Sequence, residues 1–136
     1  MSKLHIYTPN APAPAPHLSQ ATVVGNIIFC SGQLGIDPKT GKMVEGSVKD
    51  RTRQILKNLS AVLEAGGSSL ADVAKVNIFL ADMKDYNDVN EVYIQGFPEP
   101  RPARTCVAVK TLPMGSDVEI ECSGFVSRPE GIKARL

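Results

Sequence analysis

A chain of 136 residues can bury one substantial core but not two, so residues 1–136 read as a single domain. Charged residues make up 21% and the formal net charge is +1; interspersed acids and bases leave no basic stripe for nucleic acid or an anionic membrane surface. No run is apolar and long enough for a membrane span or a secretion signal. Three scattered cysteines (Cys30, Cys106, Cys122) and two N-terminal histidines (His5, His17) match no metal or disulfide spacing. Neither metal nor cofactor is expected, and free thiols point to a reducing, intracellular compartment.

In chain order, Ala11-Pro12-Ala13-Pro14-Ala15-Pro16 forbids helix. It predicts an extended Pro-rich arm over residues 1–18, either disordered or laid across the surface. Thr22-Val23-Val24, Gly25-Asn26 and Ile27-Ile28-Phe29-Cys30-Ser31 predict a tight β-hairpin. Asp37-Pro38-Lys39-Thr40-Gly41 is a turn. Ser47-Val48-Lys49-Asp50 resembles a capping box with Asp in place of Glu. Beyond it Thr52, Ile55, Leu56, Leu59, Val62 and Leu63 trace an amphipathic helix, with Arg51, Arg53, Lys57, Asn58 and Glu64 mostly off the stripe. Gly66-Gly67 ends it; no phosphate-binding pattern surrounds the pair. Val73 to Leu80 reads as a strand with Val76, Ile78 and Leu80 on one face. A second helix over 85–97 carries the stripe Tyr86, Val89, Asn90, Tyr93 and Phe97. Asn90, an amide among apolar neighbours, is either a structural clamp or a site residue.

The segment 101–122 reads as two strands joined by a turn at Pro113-Met114-Gly115-Ser116. Thr105, Val107 and Val109 alternate with Arg104, Cys106 and Ala108; Val118, Ile120 and Cys122 alternate with Asp117, Glu119 and Glu121. One face is expected to be core and the other to gather an arginine, a thiol and three carboxylates. Such a face either captures a small carboxylate substrate beside a general acid or base, or is a solvated surface with ordinary ion pairs. The element order predicts an α+β fold, two helices packed on one face of a single sheet. If Cys30, Cys106 and Ala108 lie on the uncovered face, that face should meet further subunits, as in a ring.

Three groups of residues together resemble the RidA (YjgF/UK114) family of enamine/imine deaminases. They are Ser31-Gly32-Gln33, Val89-Asn90-Glu91-Val92-Tyr93, and Pro102-Ala103-Arg104-Thr105-Cys106-Val107 with Leu112-Pro113 and Val118-Glu119-Ile120-Glu121. The resemblance runs over about residues 19–126. It implies a chorismate-mutase-like mixed sheet assembled as a homotrimer, with sites in the clefts between subunits. It further implies that Arg104 grips the substrate carboxylate and Glu119 positions or activates the attacking water. Cys106 would line the pocket, Asn90 would shape it and the Gly32 backbone would border it. Where the family commonly carries a tyrosine, this chain has Leu18, preceded by His17; the missing hydroxyl bears on substrate choice and turnover.

The implied substrates are 2-aminoacrylate, 2-iminobutanoate and 2-iminopropanoate, released by pyridoxal-phosphate-dependent dehydratases and hydrolysed to 2-keto acids and ammonia. Neither a metal nor a covalent nucleophile is required, and Cys106 has no activating partner in the sequence. Arg104 as a salt-bridge partner of Glu121 is the structural alternative. A non-catalytic trimer that binds small carboxylates is the second functional reading, and a translation inhibitor or endoribonuclease the third. The tail 128–136 reads as exposed. Its end, Ala134-Arg135-Leu136, is a variant of the Ser-Lys-Leu peroxisomal address, so cytoplasm and peroxisome are both expectations.

Overall fold

The computed structural model describes residues 2–135. Among the described residues, seven strands form one mixed sheet in the order β5-β4-β6-β3-β2-β1-β7, and only the β4–β5 pair is parallel. The strands are β1 Lys3–Ile6, β2 Ala21–Val24, β3 Ile27–Gln33, β4 Val73–Leu80, β5 Ala103–Ala108, β6 Val118–Phe125 and β7 Ala134–Arg135. Helices α1 (Val48–Ala65) and α2 (Tyr86–Gly96) pack against each other, and α1 lies across β3 and β6. The fold is α+β with both helices on one face.

Helix α1 starts where Ser47 N–H donates to the Asp50 carboxylate at 2.9 Å. Its stripe Thr52, Ile55, Leu56, Leu59, Val62 and Leu63 is buried against Ile28, Val76, Ile78, Leu80, Val118 and Ile120 of the sheet. Asn58, placed off the stripe by spacing, is fully buried as well. Its amide donates to the Leu34 and Ile36 carbonyls at 3.3 and 2.9 Å and accepts from Gln54 at 2.9 Å, so a buried polar group is satisfied while it holds the loop after β3. Arg51, also off the stripe, makes a two-point ion pair with Asp117 at 2.7 and 2.6 Å. The helix ends at Gly66, and Gly67 (φ +74°) has no room for a Cβ, which would strike the Arg128 carbonyl.

The arm is built into the sheet. Residues 3–6 pair with β2, and Ala11 is 2% exposed. The buried Gln20 side chain accepts from Thr8 N–H at 2.7 Å and donates to the Thr8 and Pro12 carbonyls at 3.0 and 2.9 Å. Residues 128–133 lie largely exposed on the surface, yet their backbone is tied down by Arg128 N–H to the Gly67 carbonyl and Lys133 N–H to the Ala65 carbonyl. Ala134 and Arg135 pair with Ile6 and His5. Leu136, on which the peroxisomal reading turns, lies outside the described residues.

Two expectations about 101–122 are corrected. First, β5 and β6 do not form a hairpin: β4 lies between them, parallel to β5 and antiparallel to β6. Second, the polar groups do not share a face. Val76 sits opposite Arg104 on one side and Cys122 on the other, and Ile78 opposite Cys106 and Ile120. Directly paired residues point the same way, so Arg104, Cys106 and Ala108 lie on the helix side, with Cys30 paired to Cys122 in the core. Glu119 and Glu121, opposite Phe79 and Asn77, lie on the open face. That face presents Ile27, Phe29, Val107 and Phe125, between 38% and 49% exposed, in place of the expected Cys30, Cys106 and Ala108. Period-two alternation separates the two sets on each strand; the partner strand decides which set faces in.

Candidate active site in two halves

On the open face, the β3–β6 register slips by one residue between Cys30 and Gln33. This bulge frees Ser31 and Gly32 from regular pairing. Ser31 turns its hydroxyl to the Ser19 carbonyl (2.6 Å) and its N–H to the Gln20 carbonyl (3.0 Å), which binds the arm beside it. Gly32 carries the Glu119 side chain across its Cα, where a Cβ would collide with the carboxylate. A cleft of about 590 Å³ opens here, lined by His17, Leu18, Ser31, Gly32, Pro113 and Glu119 among others. Leu18 is 44% exposed, so the position presents an apolar surface near the carboxylate. Burial holds the Glu119 carboxyl above the usual carboxylate range, and the neighbouring charge of Glu121 adds to the rise. Among the described residues no hydrogen bond or ion pair engages the Glu119 side chain. Glu121 accepts from the Asn77 amide at 3.2 Å.

On the helix side, at the sheet edge, the Arg104 guanidinium lies 5.5 Å from the Tyr86 ring centre and 4.7 Å from that of Tyr93. Both rings come from α2, as does Asn90, which falls between them on the same helix face by its spacing of four and three. Asn90 Oδ1 and the Tyr93 hydroxyl are buried without a hydrogen-bond partner. No carboxylate lies within ion-pair distance of Arg104 among the described residues. Cys106, two residues along the same face, is half-buried; burial raises its thiol pKa and Arg104 opposes the rise, leaving it a protonated wall. The salt bridge between Arg104 and Glu121 does not form, because the sheet separates them. Asp117, counted with the carboxylates of that face, is the partner of Arg51.

The sequence-predicted residues thus fall into two groups. Leu18, Gly32 and Glu119 gather on the open face; Arg104, Asn90 and Cys106 gather on the helix side. Two strand spacings, roughly 10 Å, and the thickness of the sheet separate Arg104 from Glu119 within one chain. Tyr86 and Tyr93 were legible as helix-stripe residues but not as the seat of Arg104. Among the described residues no three His, Cys, Asp or Glu side chains gather to hold a metal.

A mixed sheet backed by two helices, with a bulge-borne carboxylate on one face and an arginine on aromatic rings on the other, defines a class shared with known proteins. The family model described as Endoribonuclease L-PSP matches residues 8–126. A RutC family protein of Pyrococcus horikoshii is 50% identical over 120 residues, 88% of this chain and 95% of the relative. A 2-iminobutanoate/2-iminopropanoate deaminase of Dermatophagoides farinae is 44% identical over 116 residues, 85% of this chain and 91% of the relative. Among solved structures, Escherichia coli TdcF with bound serine superposes with a TM-score of 0.85 at 36% identity, covering 90% of this chain and 98% of that one. The chain belongs to the RidA (YjgF/UK114) family.

Proposed function

We propose that the protein hydrolyses reactive 2-imino and 2-enamino acids, such as 2-iminobutanoate, 2-iminopropanoate and 2-aminoacrylate, to 2-keto acids and ammonia. The observation that carries the reading is the pair of groups unengaged among the described residues: the half-buried Arg104 guanidinium with no carboxylate partner, and the desolvated Glu119 carboxylate with no hydrogen-bond donor. One small substrate needs both, and the sheet keeps them apart in a single chain. A neighbouring copy therefore supplies the second half, in a homotrimer whose sites lie between subunits.

In that site Arg104 holds the substrate carboxylate through two parallel N–H···O bonds and fixes the C=N carbon. Ionised Glu119 accepts a proton from water as its oxygen adds to the iminium carbon. The amine of the resulting carbinolamine takes that proton from Glu119, the C–N bond breaks, the hydroxyl returns its proton to the Glu119 carboxylate as the carbonyl forms, and ammonia leaves. An enamine first gains a proton at its β-carbon and enters as the imine. Gly32 borders the reacting carbon, Cys106 and Leu18 form walls, and Asn90 shapes the carboxylate end. The functional partner is a pyridoxal-phosphate-dependent dehydratase that releases the imine.

The test couples this protein to a threonine or serine dehydratase with semicarbazide trapping the imine. Keto acid should form faster, at the expense of semicarbazone, when the protein is present; no acceleration sinks the deaminase reading for these substrates. Arg104→Ala should abolish the effect, and Arg104→Lys should lose nearly as much, since an ammonium lacks the planar two-donor fork.

A second reading, a non-catalytic binder of small carboxylates, is favoured by Leu18, which brings no hydroxyl to the Glu119 cleft. It predicts carboxylate binding lost in Arg104→Ala with no turnover in the wild type. The endoribonuclease description carried by the family model has less support here, because the near-neutral charge offers little attraction for a polyanion. Residence in cytoplasm or peroxisome is tested by a fluorescent fusion: punctate signal that turns diffuse on removing Leu136 supports import, and a diffuse signal from the start rules it out.

A further inference from the structure

The Arg104 side chain has to meet a conflicting requirement. To bind a carboxylate it must stay unpaired, yet a long, unpaired arginine at a sheet edge loses its affinity to rotamer freedom and to competing anions. Among the described residues this is resolved without an ion pair. Tyr86 and Tyr93 stand seven residues apart, two turns along one face of α2, and the guanidinium lies near both rings. A ring face attracts the cation through its quadrupole while leaving the in-plane N–H donors free. A carboxylate at the same place would use those donors up.

The Tyr93 ring is itself held. It packs against fully buried Phe97, ring centres 4.6 Å apart, at the end of α2. There Arg101 donates to the Phe97 carbonyl at 3.1 Å and to the Ile94 carbonyl at 3.3 Å. Burial raises the Tyr93 phenol pKa, so the ring stays neutral and keeps its electron-rich face. The two tyrosines differ in exposure: Tyr93 is 3% exposed and Tyr86 38%. One is a fixed floor and the other an outer rail.

We propose that Tyr86 and Tyr93 are positioning residues that hold the Arg104 guanidinium with its donors free for the substrate carboxylate. The inference rests on the reading of Arg104 as the carboxylate grip. It predicts that the rings set carboxylate affinity and not the rate of water addition, which belongs to Glu119 on the other half-site.

The experiment measures the Kd of the assembled protein for 2-oxobutanoate, a stable keto acid with the substrate's carboxylate, by calorimetry, together with KM and kcat in the coupled assay. Tyr86→Leu, at a surface position that tolerates change, and Tyr93→Leu should each raise Kd and KM by about 3- to 30-fold, the range of a partly desolvated cation–ring contact, with kcat within about twofold. Tyr86→Phe and Tyr93→Phe, which keep the ring faces, should restore the wild-type Kd. In proton NMR the Arg104 Nε–H should resonate upfield from ring currents and move downfield in Tyr86→Leu. Unchanged Kd and unchanged Arg104 shift in a folded Tyr86→Leu overturn the seat. So does an equal loss in Tyr86→Phe, which would assign the effect to the hydroxyl. If Arg104→Ala itself keeps the wild-type Kd, the carboxylate-grip reading fails and the seat falls with it. That outcome is distinct from loss in Arg104→Ala with no loss in the tyrosine variants.

Discussion

A methyl group at Gly32 would take the space of the Glu119 carboxylate, so Gly32→Ala should swing that side chain away and lower kcat/KM by about 10- to 100-fold, with circular dichroism unchanged. Burial and Glu121 raise the Glu119 pKa, and in its proposed role as base Glu119 would work only when ionised. The acid limb of kcat/KM should therefore lie above the ordinary carboxylate range. Glu121→Gln, which removes the like charge, should move it to lower pH. The sign for stability follows from the same shift: a carboxyl whose pKa is raised on folding favours the fold at low pH and loses that contribution as pH rises through the folded value. Glu119→Gln should therefore raise Tm at neutral pH while removing activity. The sequence identified the residue types, and the family resemblance attached roles to Arg104 and Glu119. The face of Glu119 was legible from the alternation of Val118, Ile120 and Cys122, which are buried; that of Arg104 stayed hidden, because edge strand β5 is partly exposed on both sides and its composition carries no inside–outside contrast.

The long helix was the most legible element: its stripe is buried as spacing predicts, since a 3.6-residue period over eighteen residues has few alternatives. Strands β1 and β7 were not legible. They are four and two residues long, and backbone pairing rather than side-chain pattern creates them. What fixes the arm is Gln20, a buried amide with three hydrogen bonds, whose importance polarity at one position cannot reveal. Gln20→Ala would leave Thr8 and Pro12 backbone groups unsatisfied and should cost on the order of 2 kcal/mol, read as a lower urea midpoint. The arm also walls the Glu119 cleft. The same variant should therefore raise KM, and normal kinetics in a destabilised Gln20→Ala would separate the arm from the site.

Among the described residues one sheet face carries no helix and presents Ile27, Phe29, Val107 and Phe125 exposed around Glu119 and Glu121. Burial of that face by further copies would remove apolar area from water and bring a second chain's edge to the first chain's carboxylate. Light scattering should accordingly give a mass of three chains, and a strict monomer at micromolar concentration would contradict the assembly. The sequence pointed to an uncovered sheet face, but it assigned the wrong residues to that face, since Cys30, Cys106 and Ala108 read as small surface residues until the register places them on the helix side. Whether Arg104 of one copy works with Glu119 of another can be measured by mixing two inactive chains. Arg104→Ala and Glu119→Gln chains, each inactive alone, are co-expressed in equal amounts and assayed as mixed assemblies. Random assortment should leave about one quarter of the sites with both native residues, and imine hydrolysis should recover to about that fraction of wild type. Mixed assemblies no more active than the two variants apart would contradict a site shared between copies.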